Sequence, residues 1–184
     1  YLLGSIYSPW FQAVDVADPA APRAAGIVNT LGEASSRLAV RGDLAVVSDG
    51  SRGHRFVAAE PDALRPLGLV TGTASDPVAV CDFGAFIGRR RSDGGGALEA
   101  FDLRRTEAPV LAGRLVWATP LWPAALHCSN RLVLVALAES DRDNAARATY
   151  LSVVDRSDLA APRQLALLGP IDGQPGSIAG RGEG

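Results

Sequence analysis

The sequence predicts an all-β chain built as a β-propeller-like array of about four blades. Three observations carry that expectation. First, one phrase recurs: an apolar run ending in Asp, a Pro seven residues later, then a second apolar run. It is written as VDVADPAAPRAAGIV, FDLRRTEAPVLAGRL and VVDRSDLAAPRQLALLG. Second, the phrase recurs at nearly even spacing, with Pro22, Pro66, Pro109 and Pro162 standing 44, 43 and 53 residues apart. Third, Gly or Pro interrupts almost every window of a dozen residues, so no apolar stripe survives at helical period. A period of about 40 to 50 residues holding four short strands is what propeller blades show.

Each element follows from local chemistry. The opening strand of a copy ends at Asp15, Asp102 or Asp155, where a carboxylate can accept the backbone N–H two residues on and start a turn. In the second copy Ala59 stands at that place. Pro22, Pro109 and Pro162 fix φ and lack a donor, which suits the entry to an edge strand. About 20 residues further on come two β-prone runs around a turn, in RLAVRGDLAVVSDG, PVAVCDFGAFIGRR and PAALHCSNRLVLVALAES. The longer third period is assigned to a surface loop in SDRDNAARAT, residues 140–149. Residues 1–172 are thus expected to hold the repeats, with blade phrases near 11–51, 55–94, 97–140 and 149–172. Residues 173–184 read as a Gly-rich tail or a truncated blade.

These phrases resemble the LVIVD repeat, a propeller-blade motif of bacterial and archaeal proteins that are often exported. LAVRGDLAVVSDG, residues 38–50, matches the hairpin of that motif, and the likeness spans most of residues 11–169. The resemblance implies a propeller of the binding or scaffold kind. It also implies an extracellular, periplasmic or cell-surface location. Four copies fall short of the six to eight blades common in such rings. The chain is therefore expected to be part of a larger propeller, its remaining blades coming from the parent chain or a second copy. The absence of Met likewise suggests a processed chain or a segment of a longer one.

Composition narrows the function classes. At 184 residues, 47% hydrophobic and 21% charged, the chain can bury a core of its own. No apolar run approaches the roughly 18 residues of a membrane helix, and YLLGSIYSPWF lacks the basic start of a signal peptide. Net charge is −2 and the positive residues are dispersed apart from Arg89, Arg90 and Arg91, so no stripe for a nucleic-acid backbone is present.

Chemistry is sparse. His54 and His127 are the only histidines, too few and too far apart for a three-ligand zinc site. His127 and Cys128 are adjacent, but neighbours on a strand point to opposite faces, so no metal is assigned. SDRDN at 140–144 lacks the Gly and distal Glu of a calcium loop. DGSRG (49–53) and RRRSDGGG (89–96) precede no helix and read as hairpin tips rather than phosphate cradles. The two cysteines leave pairing open. Cys81 and Cys128 fall one and two places past equivalent anchors, and that opposite strand parity favours free, buried thiols.

The remaining candidates lie where blade-to-blade connections gather at a channel mouth: Ser35, Ser36, Asp76 and Trp122. ATPLWPAALHC, residues 118–128, is the most distinctive stretch. Trp117 and Trp122 beside Pro120 and Pro123 offer either a stacking wall for a sugar or a seal between blades. The candidate ligand residues are therefore Asp76, Trp117, Trp122 and His127, with no catalytic residue, metal or cofactor assigned. The leading expectation is a noncatalytic scaffold binding a protein, small molecule or glycan at its channel face. The alternatives are a propeller hydrolase or oxidoreductase using His127 and Asp76 as acid and base, or a carbohydrate or cell-surface binding module.

Overall fold

The computed structural model describes residues 2–4, 10–29, 37–60, 63–73, 75–104, 108–140, 146–173, 175 and 178. It is all-β. Among the described residues fifteen strands form four antiparallel sheets, each a simple up-and-down meander. The first sheet holds β1 (Leu2–Gly4), β2 (Trp10–Asp15) and β3 (Arg23–Asn29). The second holds β4 (Leu38–Arg41), β5 (Leu44–Ser48), β6 (His54–Glu60) and β7 (Ala63–Val70). The third holds β8 (Val78–Val80), β9 (Gly84–Arg90), β10 (Gly96–Asp102) and β11 (Val110–Trp117). The fourth holds β12 (Leu121–Cys128), β13 (Leu132–Ser140), β14 (Ala146–Asp155) and β15 (Arg163–Asp172). Among the described residues the only helical turn is a 3-10 turn, Gly50–Arg52.

These are blade-like sheets, and the second, third and fourth are each begun by the hairpin half of one sequence phrase and finished by the Pro half of the next. The chain divides into two compact units. One is Tyr1–Ser75 with Arg105–Pro109, and the other is Asp76–Arg104 with Val110–Gly184. In the first unit Phe11 and Val28 pack with Ala45, Val47 and Val57 of the second sheet. In the second unit Phe86, Leu98 and Trp117 of the third sheet pack with Val133, Val135 and Leu137 of the fourth. Strands β9 and β10 are buried on both faces, and accordingly read as near-continuous apolar runs rather than as alternation.

The Asp turns form as the side chains dictate. Asp15 Oδ1 accepts the N–H of Ala17 at 2.8 Å, Asp102 Oδ1 that of Arg104 at 2.9 Å, and Asp155 Oδ1 that of Ser157 at 2.9 Å. Pro22, Pro109 and Pro162 immediately precede β3, β11 and β15, each the outermost strand of its sheet. In every sheet the ladder slips by one residue at the same place: after Ala13, Phe56, Ala100 and Val153. Such bulges bend a strand and increase its twist.

That shared slip sets the true register of the repeat. Two residues past it stand Asp15, Ala58, Asp102 and Asp155. The residue replacing Asp in the second copy is therefore Ala58, not Ala59. Without a carboxylate there to open the turn, pairing runs on to Glu60↔Ala63. The ten-residue insertion partly lengthens strands, since β13 and β14 have 9 and 10 residues against 7 and 7 in β9 and β10. Residues 141–145, which carry the calcium-like stretch, lie outside the described residues, as do Ser35, Ser36 and most of 174–184.

One sequence expectation is overturned. Cys81 and Cys128 form a disulfide, with Cα atoms 5.8 Å apart. The parity argument holds for two residues in one sheet and reverses for two sheets stacked face to face, whose apposed surfaces carry opposite parities. Cys81 and Ser129 occupy the same hairpin position, shown by the bonds Cys81 N–H to Gly84 O and Ser129 N–H to Leu132 O. Cys128 is one residue earlier and so points the other way, toward the third sheet.

Candidate functional site

The polar groups of the second unit gather where the 71–77 connection enters β8 and β9 runs into β10. Glu99 lies directly across from Arg114 on β11, and diagonally from Arg89 on β9. Such neighbours share a face and are within reach of long side chains. Arg89 donates from Nε to Glu99 Oε2 at 2.9 Å and from a terminal nitrogen to Asp76 Oδ2 at 2.6 Å. Arg114 donates to the other Glu99 oxygen. The side chains of Asp76, Arg89 and Glu99 are only 10–12% exposed. Burial pushes the Glu99 carboxyl up, but hydrogen bonds from Arg114 and Arg89 and their charges outweigh it, holding the group below the usual carboxylate range.

This chain of charges is closed. A general acid or base needs a pKa near the working pH and a free lone pair aimed at substrate. Glu99 is held ionised with both oxygens engaged, and Asp76 is bound to Arg89. His127 does not join them. It pairs with Leu134 beside the disulfide-bonded Cys128, and alternation turns it away from the third sheet. Asp76 precedes β8, whose far end leads into Cys81, so roughly 16 Å of extended chain separates Asp76 from that disulfide.

The tryptophans also part company. Trp117 is 5% exposed within the core shared by the third and fourth sheets. Its indole N–H donates to Gln164 Oε1 at 2.7 Å, which also accepts from Ser152 at 3.0 Å. Trp117 thus seals the sheets together. Trp122, the second residue of β12, is half-buried, with the Arg90 guanidinium 5.1 Å from its ring centroid. That is a cation–π distance. Its indole nitrogen is buried and finds no acceptor among the described residues. Replacing it by Phe keeps a ring under Arg90 and removes that unpaired donor. Trp122→Phe should leave the urea midpoint unchanged or raise it slightly, because the buried N–H makes no bond there. A clear fall in midpoint would show that the lost ring volume outweighs the removal of the unpaired donor.

In the first unit Asp49 is fully buried and takes Arg55 through Nε at 3.0 Å and a terminal nitrogen at 2.5 Å. Ser48 and His54, a cross-strand pair, are buried as well. Sequence reasoning did not single out Asp49, Glu99 or Arg114. The visible signal was their placement on cross-strand partners, and that needs the register. Among the described residues no group of three His, Cys, Asp or Glu side chains is arranged to hold a metal, and no helix is long and apolar enough to cross a membrane. Fold and site together define an all-β chain of blade-type sheets in which Asp76, Arg89, Glu99 and Arg114 are tied to one another. The chain matches no protein-family model and no curated protein sequence.

Proposed function

We propose that the chain is a noncatalytic propeller-type scaffold for binding, of the LVIVD-repeat kind and exported from the cell. The observation that carries the reading is the buried charge network, in which the carboxylates of Asp76 and Glu99 are taken by Arg89 and Arg114. Groups held this way stabilise sheets and are poor at moving protons. The phrases ending in Asp15, Asp102 and Asp155 support the repeat kind, and the Cys81–Cys128 disulfide supports an oxidising compartment. A carbohydrate wall is less favoured, since Trp117 is consumed by the core and leaves Trp122 alone.

The test is turnover of chromogenic ester, phosphate and glycoside substrates by the folded chain, with His127→Ala and Asp76→Asn as controls. The expected rate equals that of buffer for all three proteins. Turnover by the wild type that disappears in a still-folded His127→Ala or Asp76→Asn variant would overturn the scaffold reading.

A further inference from the structure

Within each unit the two sheets meet through one repeated device. A glycine on the outermost strand of one sheet receives the segment just before the Pro of the next. A Cβ on Gly26 would lie 2.9 Å from the Leu64 nitrogen. On Gly113 it would run into the carbonyl oxygens of Leu159 and Ala160. At such distances no side chain fits, so glycine is what lets the turn seat. Gly84 completes the seat of the third sheet, since a Cβ there would lie 3.0 Å from Leu159 Cδ2.

The seated turn of the fourth sheet has a free twin. In residues 155–162, Asp155 accepts from Ser157 at 2.9 Å, Asp158 Oδ1 from Ala160 at 2.9 Å, and Asp158 O from the Ala161 N–H at 3.3 Å. In residues 15–22 the same three bonds recur. Asp15 accepts from Ala17 at 2.8 Å, Asp18 Oδ1 from Ala20 at 3.0 Å, and Asp18 O from the Ala21 N–H at 3.1 Å. The first turn therefore already holds the shape that docks in the third sheet. Yet Pro162 is buried and Leu159 half-buried, whereas their counterparts Pro22 and Pro19 are exposed.

The chain's own fourth sheet offers no matching seat. By the shared slip, Ala166 stands where Gly113 does, since Val153↔Ala166 and Ala100↔Gly113 are the last pairs before it. By the hairpin bonds, Leu132 stands where Gly84 does. Both glycine places are filled.

We infer that the turn 15–22 is a preformed docking knob, and that its partner is a sheet of the same construction carrying glycine at the place of Gly113. The proposal rests on the scaffold reading. It identifies the partner by the contact already made inside each unit of this chain, and it excludes a second copy, because Ala166 and Leu132 close the fourth sheet. Head-to-tail contacts of that kind propagate into rings or fibres unless they are blocked.

The test gives this protein the missing seat. Leu132→Ala with Ala166→Gly should convert a chain of monomer mass, read by light scattering after size exclusion, into oligomers that grow with concentration. Pro19 is shorter than Leu159, so Ala at 132 leaves it room. Adding Pro19→Arg, at the counterpart of Leu159, should restore the monomer without moving the melt. Should the double variant lose its cooperative melt, Leu132→Ser with Ala166→Gly carries the test. A notched, folded chain that stays monomeric, or an oligomer indifferent to Pro19→Arg, overturns the proposal. So does a wild-type oligomer that Pro19→Arg dissolves. None of these outcomes touches catalysis, so a failure here is distinct from the turnover that would end the scaffold reading.

Discussion

Replacing both cysteines by alanine, Cys81→Ala with Cys128→Ala, is expected to lower the unfolding free energy by about 4 kcal/mol. The bridge closes a loop over a sequence separation of 47 residues. Chain-entropy arguments put the stabilisation from a loop of that size near 4 kcal/mol, acting mainly on the unfolded state. It also joins the ends of two stacked sheets, tying β8 to β12 beside hairpin tips that Arg156 already spans. Arg156 donates from Nε to Ser129 O at 3.1 Å and to Asn130 O, and lies 3.8 Å from Asp82. Urea unfolding of the wild type and the double variant, with thiol titration of the unreduced protein, checks the prediction. The expected result is no free thiol and a midpoint that falls sharply in the variant. A loss under about 1 kcal/mol would mean that the loop is already restricted in the unfolded chain.

The second large effect belongs to Glu99. Glu99→Ala leaves two guanidinium groups without the carboxylate they share. Breaking a fully buried pair costs about 3–5 kcal/mol. Arg114 is half exposed, with 52% of its side chain accessible, and Arg89 keeps Asp76, so a loss of about 2–3 kcal/mol is expected. The pH dependence has a definite sign. The folded-state pKa of Glu99 is depressed, so its stabilisation is complete above the unfolded value of about 4.3 and is lost as pH falls through the folded value. Asp155 acts in the same direction, lowered by hydrogen bonds from the Ser157 hydroxyl and N–H. Wild type should therefore lose stability below about pH 4.3, and Glu99→Gln should show a shallower fall across that range. Parallel acid-unfolding curves for the two proteins would show that Glu99 titrates alike in the folded and unfolded chains.

The same charges explain how much of the site was readable. Arg89 and Asp76 stand 13 residues apart, and Arg114 and Glu99 stand 15 apart. No local spacing rule links such residues. They meet because β9, β10 and β11 pair in one register, and a slip of one residue would send Glu99 to the opposite face. Asp76 was legible as a connection residue, but its arginine partner was not. Trp117 and Trp122 were legible as a pair of aromatics near a sheet junction. Only packing separated them, placing Trp117 against Gln164 in the core and leaving Trp122 beneath Arg90.

By itself the sequence determined what depends on short-range chemistry. Carboxylates at Asp15, Asp102 and Asp155 open turns by accepting the N–H two residues on, Pro22, Pro109 and Pro162 precede outermost strands, and frequent Gly and Pro exclude long helices. These follow from bonds between near neighbours and from fixed φ, which the three complete copies of the phrase repeat. The tertiary structure alone decided the stacking: the common bulge, the Ala58 register, the Cys81–Cys128 bridge, and the glycine seats at Gly26 and Gly113. Each depends on which face of a sheet meets which neighbour, and that choice is settled by close packing between residues far apart in the chain.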